Sequence, residues 1–193
     1  MKSLDQFNFN RIIIAAYRLP FKLIRKKEEF YTVQNSGGLV SAILSLAEKI
    51  HTNDNSFTKI LWAGTGDSQL ANENVYPGLK RVPVVIPKKV NEKYYGGFCN
   101  DTIWPLFHYF PSRTVYESDY FDAYVTANNL FFNKLESLIK PGDFIWIHDY
   151  QLLLLPEIVR NNFPEADIGF FLHIPFPSFE LFRLLPRTWR ELI

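Results

Sequence analysis

The sequence predicts an α/β protein with a doubly wound, mostly parallel Rossmann-like sheet. Three observations carry that reading. Short apolar runs alternate with helical patterns along the chain, which is the signature of a parallel sheet with helices on its faces. Two of those runs, Asp143-Phe144-Ile145-Trp146-Ile147-His148-Asp149-Tyr150 and Ile168 through Pro177, are nearly uninterrupted and rich in aromatic and β-branched residues. Such runs read as strands buried on both faces. Each carries a histidine near its end, His148 or His173, and Asp149 follows the first. Ligands of open parallel sheets sit just beyond the carboxyl ends of the strands.

The elements follow in order. Ile12-Ile13-Ile14-Ala15-Ala16 reads as the first central strand, and Pro20 to Gln34 as a basic, irregular stretch. Asn35-Ser36-Gly37-Gly38 opens a helix from Leu39 to Ile50, with Leu39, Ile43, Leu46 and Ile50 repeating at helical spacing. Lys59 to Ala63 is a second strand; Val82 to Ile86 is a third, which Pro83 places at an edge or a strand start. Residues 91–112, dense in aromatics, read as short helical turns and loop. A long helix spans Ser118 to Lys140, with Phe121, Val125, Phe131, Leu135 and Leu138 as its buried stripe and Pro141-Gly142 as its stop. The two opening strands come next, separated by a helix around Leu152 to Asn161 with Pro156 in its first turn or interrupting it. A further helix begins near Ser178. Residues 186–193 read as the start of another helix without a stop signal, so the chain is expected to be one domain, 1–193, cut inside a larger fold.

Composition narrows the function. The chain has 193 residues, 47% hydrophobic and 21% charged, with net charge +1. That balance argues against electrostatic nucleic-acid binding. The densest basic run, Arg25-Lys26-Lys27, is followed at once by two acids and reads as a solvated turn. Cys99 is the only cysteine, which fits a reducing compartment and a buried small apolar group. No run reaches membrane-spanning length, and Met1 to Asn10 lacks the apolar stretch of a secretion signal. A soluble, cytoplasmic protein is expected.

Several segments carry chemistry. Gly37-Gly38, between a strand and a helix, reads equally as a flexible turn or as a place where backbone amides approach a phosphate. Gly64-Thr65-Gly66 begins like a dinucleotide fingerprint, but the third glycine and the later acidic residue are missing. The patterns of a P-loop and a serine-hydrolase elbow do not occur. His148-Asp149 lacks the convergent partners that a metal site needs. Asp149 can accept hydrogen bonds from sugar hydroxyls. The aromatics of 94–98 and 104–109 read first as core, and second as surfaces that cover sugar faces.

Taken together, these segments resemble the trehalose-6-phosphate synthase family of glycosyltransferases. The matching stretches are Arg18-Leu19-Pro20, Gly37 through Ala42, Tyr94-Tyr95 through Asn100, Trp104 through Tyr109, Trp146 through Tyr150, and Gly169 through Pro177. The resemblance covers nearly the whole chain from Asn10 onward and implies the N-terminal half of a two-domain GT-B fold. It implies transfer of glucose from UDP-glucose to glucose 6-phosphate, giving trehalose 6-phosphate with retention, and no metal or cofactor. It assigns the acceptor phosphate to Arg18 and Tyr95, and the acceptor sugar to Trp104 and Asp149. The donor goes to Gly37, Gly38 and His173; Asp149 and His173 stand nearest the chemistry. The remaining half of the fold is an implied partner, and association with like chains stays open.

Two departures from the family pattern stand out. Tyr17 occupies the place of an asparagine before Arg-Leu-Pro, and Ala63-Gly64-Thr65-Gly66 lacks the tryptophan of a Gly-Trp-x-Gly turn. They lend weight to an alternative, a catalytically silent sugar-phosphate-binding or regulatory module derived from that family.

Overall fold

The computed structural model describes residues 9–26, 29–35, 38–53, 59–67 and 78–193. Among these residues the strands are β1 (Arg11–Arg18), β2 (Phe21–Lys26), β3 (Glu29–Gln34), β4 (Lys59–Thr65), β5 (Leu79–Val84), β6 (Asp143–His148) and β7 (Asp167–Phe171). β1 takes the middle of the main sheet because it has no polar face. Ile13 and Ala15 turn to one layer, Ile14 and Ala16 to the other, and all four are buried. The order is β5-β4-β1-β6-β7, and every pairing is parallel. Pro83 lies on β5, an edge strand, where its missing donor leaves the ladder intact.

Helices cover both faces. α1 (Gly38–Asn53) lays Val40, Ile43, Leu44 and Ala47 on the face of Ile14 and Trp62. α4 (Ser118–Glu136) and α5 (Leu155–Asn162) cover the other face, with Phe131, Leu135 and Val159 packed against Ile145 and Ile147. Pro156 sits in the first turn of α5, where its missing N–H costs nothing. A second, aromatic core joins α4 to residues 88–107 and to Leu185 and Trp189. The side chains of Arg11 and Asp143 pair in bidentate fashion, at 2.8 and 2.5 Å, and tie the starts of β1 and β6 together.

Four expectations are corrected. Residues 20–34 are no irregular stretch: β2 and β3 pair as an antiparallel hairpin. Residues 88–107 form continuous helical structure rather than separate turns. α2 (Lys88–Asn91) leads into a π-helical segment, Glu92–Ile103, and on into α3 (Trp104–Phe107). α4 ends at Glu136, short of Lys140; Pro141-Gly142 instead makes the turn into β6, with Gly142 at φ 83°. β7 is not buried on both faces. It is an edge strand, and Phe170 and Phe171 are exposed. The chain closes with two short helices, α6 (Phe179–Phe182) and α7 (Arg187–Arg190). No helix among the described residues is long and apolar enough to cross a membrane.

Candidate active site

The strand order reverses between β1 and β6, and an open parallel sheet leaves a crevice there, beyond the carboxyl ends. Arg18 ends β1, His148 ends β6 and Asp149 follows it, so residues singled out in the sequence border that crevice.

A shift of register between Ala15 and Arg18 loosens β1 from β4 just before the crevice. Irregularities of this kind re-aim side chains at strand ends. Two β4 side chains then pin the freed backbone: Trp62 Nε1 donates to the carbonyl of Arg18 (3.1 Å), and Thr65 Oγ1 to that of Tyr17 (2.6 Å). Trp62 itself is fully buried. The exposed Arg18 guanidinium donates to the Tyr95 hydroxyl (3.1 Å) and lies 5.8 Å from the centre of that ring.

Tyr95 reaches this place from the π-helical segment, in which Trp104 N donates to Cys99 O, five residues back. Such segments concentrate at functional sites. Here Tyr94, Phe98 and Cys99 are wholly buried, while the adjacent Tyr95 faces the crevice side and Trp104 stays 44% exposed. The aromatic runs therefore divide between core and surface. Burial pushes the Cys99 thiol well up, away from reactivity. Gly97 is required by contact: a Cβ there would lie 2.6 Å from the Tyr120 ring. Trp104 lies tilted against His108 (4.0 Å between ring centres) and 5.7 Å from Tyr150, the neighbour of Asp149.

Asp149 is the strained residue of the site. Its backbone, φ 74° and ψ 168°, is a conformation that non-glycine residues enter at a cost of about 1–3 kcal/mol. Its backbone N–H continues the sheet ladder to Phe171 O (2.8 Å). Its carboxylate accepts from the backbone N–H of Tyr150 (3.0 Å) and of His173 (3.3 Å). Burial raises the carboxyl above its ordinary range, and those two donors partly oppose the rise.

His173 lies two residues past β7, in the turn that Asp149 grips. Its Nε2 is 3.1 Å from Nδ1 of His148. His148 is 1% exposed, and its Nε2 is buried with no partner among the described residues. An orphaned buried N–H is rarer than an orphaned acceptor, which assigns the proton of His148 to Nδ1. His173 then accepts through Nε2, and its Nδ1 is the nitrogen left for another partner. Burial, and secondarily the nearby His173, lower the His148 pKa to about 4.

Gly38 opens α1, with its N-terminus at the carboxyl edge of the sheet, and a Cβ there would meet nothing within 4 Å. Gly37 lies outside the described residues. Asn35 ties this approach to β1, donating from Nδ2 to Leu19 O (2.7 Å). The structure thus joins Arg18 to Tyr95 and Asp149 to His173, with Trp104 linked through Tyr150. Sequence reasoning missed the involvement of Asn91, whose Oδ1 accepts from the Tyr17 hydroxyl (3.0 Å), and the contact between the two histidines. Among the described residues no group of three or more His, Cys, Asp or Glu could hold a metal ion.

The family model described as Glycosyltransferase family 20 matches residues 10–193. The chain belongs to glycosyltransferase family 20. Its family relatives include the alpha,alpha-trehalose-phosphate synthase [UDP-forming] A of Dictyostelium discoideum, 38% identical over 91% of this chain and 24% of that protein. Among solved structures of the family, the Burkholderia xenovorans alpha,alpha-trehalose-phosphate synthase (UDP-forming) in complex with glucose-6-phosphate matches at TM-score 0.73 and 28% identity. It covers 94% of this chain and 37% of that one. An E. coli structure bound with UDP-2-fluoro glucose matches at TM-score 0.74 and 29% identity, again over 94% and 37%. The chain therefore spans between about a quarter and two fifths of the length of its family relatives, and its fold corresponds to the N-terminal half of the solved synthases.

Proposed function

We propose that this chain forms the acceptor-side half of a cytoplasmic trehalose-6-phosphate synthase. The reaction transfers glucose from UDP-glucose to glucose 6-phosphate with retention at the anomeric carbon. The observation that carries the reading is the pairing of Arg18 with Tyr95 on one side of the β1–β6 crevice and of Asp149 with His173 on the other. The guanidinium suits a planar bidentate grip on the acceptor phosphate. Tyr95 adds a phenol donor, and Trp104 covers a sugar face. Asp149 accepts from the acceptor hydroxyls and orients the attacking oxygen. Gly38 presents its amide, at the positive end of α1, to the donor diphosphate, and His173 contacts the donor glucose. In the transfer, the bond from the anomeric carbon to the diphosphate oxygen breaks. The bond to the acceptor oxygen forms on the same face, and the acceptor proton passes to the departing phosphate. Neither a protein nucleophile nor a metal is needed.

Basic residues that hold the departing diphosphate come, on this reading, from the other half of the complete enzyme. Electrostatic stabilisation of that kind is usually the largest catalytic term. The 193-residue chain should therefore bind glucose 6-phosphate without releasing UDP at the rate of a complete enzyme; comparable turnover would overturn the half-enzyme reading. In calorimetric titration Arg18→Ala should weaken glucose 6-phosphate binding at least tenfold, since hydrogen bonds to charged groups contribute about 1.5–3 kcal/mol. Binding unaffected by the substitution discredits the acceptor site.

Asp149→Asn has the same footprint and keeps an oxygen for the two backbone donors, but removes the charge. Affinity for glucose 6-phosphate should fall about tenfold. Stability should move the other way. A carboxyl raised by burial loses stability as pH climbs through its folded-state pKa, so the amide is free of that cost at neutral pH. An unfolding midpoint at pH 7 clearly below the parent's would contradict this account.

A further inference from the structure

We propose that Tyr17 is a positioning residue of the acceptor-phosphate site, acting by stacking on Tyr95 and fixing the phenol that Arg18 holds. The inference rests on the acceptor reading above. The two rings are nearly coplanar in orientation, 3° apart, with centres 4.1 Å apart. Tyr17 is itself held on three sides. Its hydroxyl donates to Asn91 Oδ1 at 3.0 Å, its ring meets the buried Tyr94 edge-on at 5.7 Å, and its carbonyl accepts from Thr65 Oγ1. A ring so anchored restrains the face of Tyr95, and Tyr95 keeps its hydroxyl 3.1 Å from Arg18 Nη2.

The arrangement also joins the two places where the chain departs from the family pattern. Thr65, the last residue of β4, donates to the backbone carbonyl of Tyr17 on the adjacent strand. The Tyr17 ring bears on the phosphate end of the acceptor through Tyr95, the residue that Arg18 holds. Tyr17 is partly buried against the aromatic core, yet its hydroxyl bonds to α2, a helix with no buried residue, and its ring lies flat on Tyr95 beside the exposed Arg18.

The test uses the whole chain and two substitutions, with glucose 6-phosphate as the titrant in calorimetry. Tyr17→Leu keeps apolar bulk, so the strand end stays filled, but cannot stack flat. Its affinity should fall about fivefold, the scale of one aromatic pair. Tyr17→Phe keeps the stack and should bind within about twofold of the parent. Tyr17→Leu binding as tightly as the parent overturns the proposal. So does Tyr17→Phe binding as weakly as Tyr17→Leu, since the hydroxyl bond to Asn91 would then be the cause. A parent protein that binds no glucose 6-phosphate overturns the acceptor reading itself, which separates the two failures.

Discussion

Replacing Gly64 by alanine should destabilise the fold by about 1–2 kcal/mol and weaken glucose 6-phosphate binding in one step. Gly64 lies on β4 where β1 bends away, and the two backbones touch there. A Cβ on Gly64 would stand 2.6 Å from the Leu19 nitrogen and 2.8 Å from the Arg18 carbonyl carbon. These are main-chain atoms, pinned by Trp62 and Thr65 on one side and by the Asn35 side chain on the other, so no flexible side chain can swing aside. Overpacking of this kind costs about 1–3 kcal/mol or more. Alanine returns only about 0.4–1 kcal/mol through the unfolded chain. For a domain of this size each kcal/mol moves the melting temperature by about 2–4 °C, so a drop of roughly 2–8 °C is expected in a thermal melt. Arg18 belongs to the displaced peptide, so glucose 6-phosphate binding should weaken as well. A variant that melts within about 1 °C of the parent would show that the strand ends yield more easily than these contacts imply.

Gly64 also shows where sequence and structure part. As a string, Gly-Thr-Gly after a strand resembles a broken nucleotide fingerprint; in the fold, its first glycine makes room for a neighbouring strand rather than a ligand. The central strands were legible because burial on both faces leaves an unmistakable apolar run, as in Ile12 to Ala16. β7 has the same composition yet lies at an edge, because an apolar run reports hydrophobicity and not the neighbour that covers it. The β2–β3 hairpin was hidden by Lys22, Arg25 and Lys26, which interrupt its alternation. The π-helical segment left no periodic signal, and its aromatics were divided between core and crevice by backbone geometry alone. Arg18, Tyr95 and Asp149 were singled out through motif resemblance, and the fold sets all three beside the β1–β6 crevice. The contacts that tune them, Tyr17 on Tyr95 and His148 on His173, are tertiary and have no spacing rule.

The second large effect is acid lability centred on His148. An ordinary histidine takes up its proton near pH 6.5, and burial beside His173 delays this to about pH 4 in the folded chain. Between these values the unfolded chain binds the proton and the folded chain refuses it. Stability therefore falls as pH drops from about 6.5 to about 4, then levels off for this group. The loss amounts to about 3 kcal/mol at 1.36 kcal/mol per pH unit. Asp149 works in the opposite direction, because its raised carboxyl takes up a proton in the folded state first, and it offsets part of the loss at the acid end of the window. Urea unfolding of parent and His148→Asn across pH 7 to 4 separates the two contributions. The variant lacks the buried imidazole, so its stability should decline less steeply through the upper part of the window, near pH 6.5 to 5. The same substitution removes the ring that holds Nε2 of His173, so His173 loses its fixed orientation even where the fold is kept. Parallel stability curves for the two proteins would mean that His148 titrates normally, and that the crevice is wetter than its 1% exposure indicates.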